Sequence, residues 1–202
     1  MMESLQTVRH RLQAGTEIAI TGLGDSLTQG WMVQKGFYDR FIDGLRQQFS
    51  KTNILSHNIG VPGSTAQEAI DRLYQLDDQL PDVVIVQFGL NDCSIGIPVE
   101  HYSRHLETIV TNLKDQSILA VLVTSCPVED AILGRRVQAY YDAIAQLGNR
   151  LTLPVIRLDE YWLNHAEQFS EQALFQWDGV HPTDAGHQLM AEGLLTAFVG
   201  DK

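Results

Sequence analysis

The chain is short of cations. Lys and Arg number 14 against 25 Asp and Glu, which leaves a formal charge of −11 over 202 residues. Proteins that hold nucleic acid neutralise phosphates with a basic face, and anionic membrane surfaces ask for the same cations, so neither is an expected partner. Long apolar runs are lacking as well. None approaches the roughly eighteen residues of a spanning helix, so no stable membrane insertion is expected. The opening stretch from Met1 to Gly15 is broken by Glu3, Arg9, His10 and Arg11 and does not have the pattern of a secretory leader; a cytoplasmic protein is the expectation. Cysteine is scarce. Cys93 and Cys126 form neither a CxxC pair nor a metal-ligand spacing, which predicts two reduced thiols near the core and no metal. Because they follow consecutive strands that should be neighbours, a redox link between them stays open.

No internal repeat, linker or shift of composition divides the chain, so one domain over 1–202 is expected, with residues 1–15 open to forming an extra N-terminal helix. What is present is a globular mixture, 44% apolar and 19% charged. Short β-branched and leucine-rich runs at 17–21, 53–56, 82–88, 118–124 and 154–158 alternate with helical patterns, the rhythm of an α/β protein. Asp82 to Val86 and Ile118 to Val123 are apolar almost without alternation, as strands covered on both faces are. Phe37, Phe41, Leu45 and Phe49, spaced every four residues, mark an amphipathic helix from Gly36. Ala66 to Leu73, Leu106 to Leu113 and Val137 to Leu147 mark three more, and a last helix begins near Thr183 behind Pro182. Five parallel strands joined by helices predict a three-layer α/β/α sandwich of flavodoxin-like type. Its ligands bind at the carboxyl ends of the strands.

Four segments at those ends carry chemistry. The first strand runs into Gly22-Leu23-Gly24-Asp25-Ser26-Leu27-Thr28, which sets a serine in a glycine-punctuated turn. A serine hydroxyl needs a base to become a nucleophile, and the usual base is a histidine held by a carboxylate. Asp178-Gly179-Val180-His181-Pro182 offers both within one compact turn. Acyl transfer also needs donors aimed at the oxygen that becomes negative. Asn58-Ile59-Gly60-Val61-Pro62-Gly63-Ser64-Thr65 offers glycine N–H groups, and Gly89-Leu90-Asn91-Asp92 a side-chain amide.

In this order and at these places the four segments resemble the SGNH hydrolases, the GDSL esterase/lipase family, from Glu17 to Phe198. The resemblance implies Ser26 as nucleophile, with Asp178 and His181 completing the triad. It implies an oxyanion hole built from Ser26 N–H, Gly63 N–H and Asn91. Spacing to the following helix favours Gly63 over Gly60, without fixing which N–H points inward. The implied activity is hydrolysis of a carboxylic ester through an acyl-enzyme, on a small-molecule substrate with a small or single acyl chain and with no cofactor. A carbohydrate O-acetyl esterase and an acyl thioesterase are alternatives within the family. Activity is expected to fall as pH drops, because a charged imidazole cannot act as a base.

Competing readings are weaker. Thr28 stands where the G-x-S-x-G elbow of α/β-hydrolases has its second glycine. A nucleotide- or flavin-binding module would use Gly22-Leu23-Gly24 as a fingerprint, but its third glycine falls at Leu27, and Ser56-His57-Asn58 lacks the acidic residue for a ribose. His101 and His105 lack a third metal ligand nearby. His187 is expected to be structural, and Asp25 and Asp92 to bond loop backbones. Leu90, Ile95 and Trp31 are the candidates for contact with the substrate, alongside Phe37, Ile97 and Pro98, which serve equally well as packing. Oligomeric state leaves no mark in the sequence.

Overall fold

A computed structural model of the chain describes residues 4–76 and 80–200. In order the elements are α1 (Leu5–Ala14), β1 (Ile18–Gly24), α2 (Ser26–Gln29), α3 (Phe37–Gln48), β2 (Ile54–Asn58), α4 (Ala66–Ile70), β3 (Val83–Gln87), α5 (Leu90–Ser94), α6 (Val99–Asp115), β4 (Leu119–Val123), α7 (Ala131–Leu151), β5 (Val155–Ile156), α8 (Leu158–His165) and α9 (Asp184–Val199). Of the stretch expected to form an N-terminal helix, residues 1–3 lie outside the described residues. From the Ser4 cap the helix runs to Gly15, whose left-handed backbone (φ 74°) ends it.

The five strands are all parallel, in the order β2-β1-β3-β4-β5. Every residue of β1, β3 and β4 is buried, which is why 83–86 and Leu119–Val123 read as unbroken apolar runs, while Thr21 in β1 and Gln87 at the end of β3 are polar and equally buried. Edge strand β2 follows the other rule: its burial alternates from residue to residue, with Leu55 and His57 exposed. Helices α1, α3 and α8 pack on α9, while α4 and α7 pack on α6, giving one helical layer on each side of the sheet. One hydrophobic core links both layers to the strands. The amphipathic stripe of α3 is buried as its spacing predicts, at Phe37, Tyr38, Phe41, Ile42 and Leu45.

The fifth strand is shorter than its apolar run suggests, because Leu158 already opens α8. That helix has a mixed pattern: Leu158 and Trp162 are buried, and so is Asp159. Burial of the acid is balanced by Arg157, which donates to both Asp159 oxygens at 2.9 and 2.6 Å, and by the Thr124 hydroxyl at 2.6 Å. At the other end of the molecule the Arg9 guanidinium donates to the carbonyls of Phe198 and Ala197 (3.0 and 2.6 Å), groups left without a partner by the end of α9. Strand order reverses at β1, whose neighbours are β2 and β3. The crevice this opens at the carboxyl ends receives the segments after all three strands.

Candidate active site

The first of these segments begins as β1 ends. Asp25 has extended backbone and caps α2, its Oδ1 accepting the Leu27 N–H at 2.9 Å. Ser26 is therefore the first residue of a helix, where the backbone N–H has no partner inside the helix. Its Oγ lies 2.9 Å from His181 Nε2, and His181 Nδ1 lies 2.6 Å from Asp178 Oδ2. With the ring proton on Nδ1 facing the carboxylate, Nε2 presents a lone pair to the hydroxyl. The second Asp178 oxygen accepts the N–H groups of Val180 (3.0 Å) and His181 (2.9 Å), so one carboxylate builds the turn and orients the ring together. Burial pushes this carboxyl up, but the two amides and the imidazole outweigh it and hold it below the usual carboxylate range.

The imidazole is held from other sides too. The Trp31 ring lies against it, with centroids 4.5 Å apart and planes at 47°. Gln176 donates its backbone N–H to the His181 carbonyl (2.8 Å) and its side-chain amide to the carbonyls of Pro182 (2.9 Å) and Trp31 (3.4 Å). The loop that carries His181 is thus tied to the segment that follows Ser26.

The second segment continues the pairing of β2 with β1: Ile59 and Val61 donate to the carbonyls of Gly22 (2.9 Å) and Gly24 (3.0 Å). Here the two glycines separate. The Gly60 N–H is taken by Asn58 Oδ1 at 3.1 Å, and a Cβ on Gly60 would stand 2.5 Å from the Gln29 nitrogen, so this glycine lets the loop lean on α2. Gly63 has φ +78°, is exposed, and its N–H has no acceptor among the described residues. Arg72 steadies the loop by donating to Ile59 O (3.3 Å) and Ser64 Oγ (2.7 Å). From the third segment, Asn91 Nδ2 donates one hydrogen to Ser64 O at 3.0 Å and keeps its second. Both Asp92 oxygens accept the Ala66 N–H (3.2 and 3.3 Å). Burial raises Asp92 to about 6 and Asp25 to about 7.

The remaining candidates are spread widely. Leu90 is buried in the core, Ile95 is 68% exposed, and Phe37 is fully buried. His187 Nδ1 accepts the Phe37 N–H (3.1 Å), and burial pushes the ring down to about 4, which fits its structural role. No group of three His, Cys, Asp or Glu able to hold a metal occurs among the described residues, so His101 and His105 remain a pair. Cys93 and Cys126 are free and buried. Sequence reasoning passes over Gln87, Gln176, Asn58 and Arg72. Only Gln87 carries a signal, as a lone amide ending the apolar run Val83 to Val86.

A hydroxyl, an imidazole and a carboxylate in one hydrogen-bonded line, at the carboxyl edge of a parallel sheet, form the constellation of serine-dependent acyl transfer. Residues 23–189 match the model of the GDSL-like lipase/acylhydrolase family. The chain belongs to that family and is a carboxylic ester hydrolase. It is 25% identical to an arylesterase of Vibrio mimicus over 180 residues, covering 88% of this chain and 86% of that one. The structure is similar to an acetylxylan esterase from Geobacillus stearothermophilus (TM-score 0.80, 19% identity, 94% of this chain and 97% of that one). It is also similar to an α/β hydrolase enzyme from the metagenome of Lake Arreo (TM-score 0.74, 20% identity, 91% and 97%). At these identities the structural likeness speaks for the fold. Among the described residues no helix is long and apolar enough to cross a membrane.

Proposed function

We propose that Ser26 attacks the carbonyl carbon of an ester whose acyl part is small or a single chain. The observation that carries this is the line from Ser26 Oγ through His181 to Asp178, at 2.9 and 2.6 Å. His181 Nε2 takes the hydroxyl proton as Oγ bonds to carbon, and Asp178 stabilises the imidazolium. The carbonyl oxygen, now negative, is bound by the N–H groups of Ser26 and Gly63 and by the second hydrogen of the Asn91 amide. His181 then gives its proton to the departing alcohol. Water repeats the sequence on the acyl-Ser26 ester, which releases the acid and restores the serine. Catalytic variants of the Geobacillus acetylxylan esterase replace a serine, an aspartate and a histidine, the last two spaced three apart like Asp178 and His181, and this supports the assignment. Trp31 and Ile95 stand nearest in role to the acyl group in this reading, while Leu90 is buried in the core.

A second reading, an acetyl ester carried on a carbohydrate, is favoured by Trp177. This indole is 85% exposed and directly precedes Asp178, offering an open aromatic face on which a sugar ring can lie. The proposal also keeps the enzyme in the cytoplasm, supported by two cysteines that are both free thiols.

The test is hydrolysis of 4-nitrophenyl esters from acetyl to dodecanoyl, and acetate release from acetylated xylooligosaccharides, beside Ser26→Ala. Ser26→Ala should lower kcat by several orders of magnitude. A variant as active as the parent would refute the nucleophile. A preference for the oligosaccharide over the aryl acetate would select the second reading.

A further inference from the structure

Gln87 has no exposed surface. It closes β3, between Gly24 of β1 and Val123 of β4, and so sits under the nucleophile turn at the middle of the sheet. A neutral amide buried there requires partners for both its oxygen and its two hydrogens. All are supplied. Oε1 accepts the Thr28 hydroxyl at 2.6 Å, while Nε2 donates to Asp25 Oδ2 (3.3 Å) and to Ser125 Oγ (2.6 Å), just beyond β4. Two of these three partners flank Ser26 in the chain, one residue before it and two after. Both hold the four-residue helix that carries it, since Asp25 caps α2 and Thr28 lies within it.

So short a helix has little rigidity of its own. Its position over the sheet is set by what grips it from below, and Gln87 grips both its start and its body. We infer that Gln87 is a positioning residue for Ser26: by holding Asp25 and Thr28 at once it fixes the height and direction of the nucleophile, and with them the 2.9 Å approach of Oγ to His181 Nε2. The inference rests on the reading of Ser26 as the nucleophile. It assigns to Gln87 the rate of attack on the carbonyl and leaves substrate affinity to the surface of the cleft.

Gln87→Met removes all three hydrogen bonds at nearly the same volume, Thr28→Val removes one, and Gln87→Glu restores two when its carboxyl is neutral. Each is measured beside the parent and Ser26→Ala, at a temperature well below its melting point and with the fold checked by circular dichroism. The readouts are kcat and KM on 4-nitrophenyl acetate and the rate of serine modification by a fluorophosphonate. Gln87→Met should lower kcat and the modification rate in parallel, by roughly 10- to 100-fold, with KM within about twofold, because a misplacement of about an ångström costs this much. Thr28→Val should lower both by roughly 3- to 10-fold, the worth of one neutral hydrogen bond. Gln87→Glu should regain kcat relative to the parent as pH is lowered, since a carboxylic acid offers an oxygen to Thr28 and a hydrogen to Asp25 where a carboxylate offers no hydrogen. Loss of packing alone would not create that pH dependence.

A folded Gln87→Met enzyme with parental kcat and modification rate, beside an inactive Ser26→Ala, overturns the inference, as does a loss confined to KM. Should Gln87→Met fail to fold, an unchanged kcat in Thr28→Val overturns it. An active Ser26→Ala instead overturns the nucleophile assignment beneath it.

Discussion

Replacing Asp25 by Asn separates the charge of the N-cap from its hydrogen bond. Asp25 is fully buried, and its carboxyl titrates at about 7 where the ordinary value is 3.8, chiefly because burial strips the anion of water. The Leu27 amide and the Gln87 amide lower it again without undoing the effect. A carboxyl that holds its proton more tightly when folded favours the folded chain fully below pH 4, and that advantage is lost as pH rises through 7. Between pH 5 and pH 9 the loss comes to about 3 kcal/mol. Asn cannot ionise, yet its carbonyl oxygen keeps the bond to the Leu27 N–H, and Asn caps helices as well as Asp does. Costs that do not vary with pH, such as an amide set against the Gln87 amide, cancel when the two pH values are compared. The stability of Asp25→Asn relative to the parent should therefore improve by about 3 kcal/mol from pH 5 to pH 9, a shift in the difference of melting temperatures of roughly 6–12 °C for a chain this size. Thermal melts followed by far-UV circular dichroism at both pH values read it directly. The same difference at pH 5 and pH 9 would refute the reasoning.

His187 titrates with the opposite sign. Buried at about 4 against an ordinary 6.5, it stabilises the fold above pH 6.5, and this contribution is lost as pH falls through 4. His187→Gln, which keeps an acceptor for the Phe37 N–H, should reduce the stability lost between pH 7 and pH 4 by about 3 kcal/mol, read from urea midpoints. Asn91→Ala should lower kcat by about 10²–10³ with KM little changed, and a near-parental rate would remove Asn91 from the oxyanion site. Gly60→Ala, whose new methyl meets the backbone of Gln29 and Asp25 at 2.5 and 2.9 Å, should destabilise the chain by about 1–3 kcal/mol in equilibrium unfolding. Gly63→Ala meets nothing within 4 Å but must hold φ +78°; it should cost only about 1–2 kcal/mol in the same assay, with a loss of kcat of tenfold or more as the loop shifts.

The central strands β3 and β4 are legible because 83–86 and Leu119–Val123 are apolar without alternation, and Asp178 with His181 because they are three residues apart in one turn. Ser26 and the Asp178-His181 pair are each legible from their own turns, and the resemblance joins the three, since the sheet brings together positions far apart in the chain. The helix over Leu158–His165 was not read, because its buried face includes Asp159, an acid whose partners lie on β4's far end and at Arg157. Trp31 is a substrate-contact candidate in the sequence, and its ring lies on the His181 imidazole, a contact between distant parts of the chain that no local pattern encodes. Spacing favours Gly63 over Gly60 in the sequence, but which N–H is taken and which is free among the described residues shows only in the structure.

The bond between Ser26 and His181 joins positions 155 residues apart. During synthesis Ser26 therefore emerges long before His181, and α9, whose closing carbonyls Arg9 clasps, joins its layer after both. A nascent chain that has not reached His181 carries Ser26 without its imidazole partner. On the reading of Ser26 as nucleophile, hydrolysis begins only once that late segment has folded onto the first strand's turn, so activity reports contact between two distant parts of the sequence rather than the order of either alone.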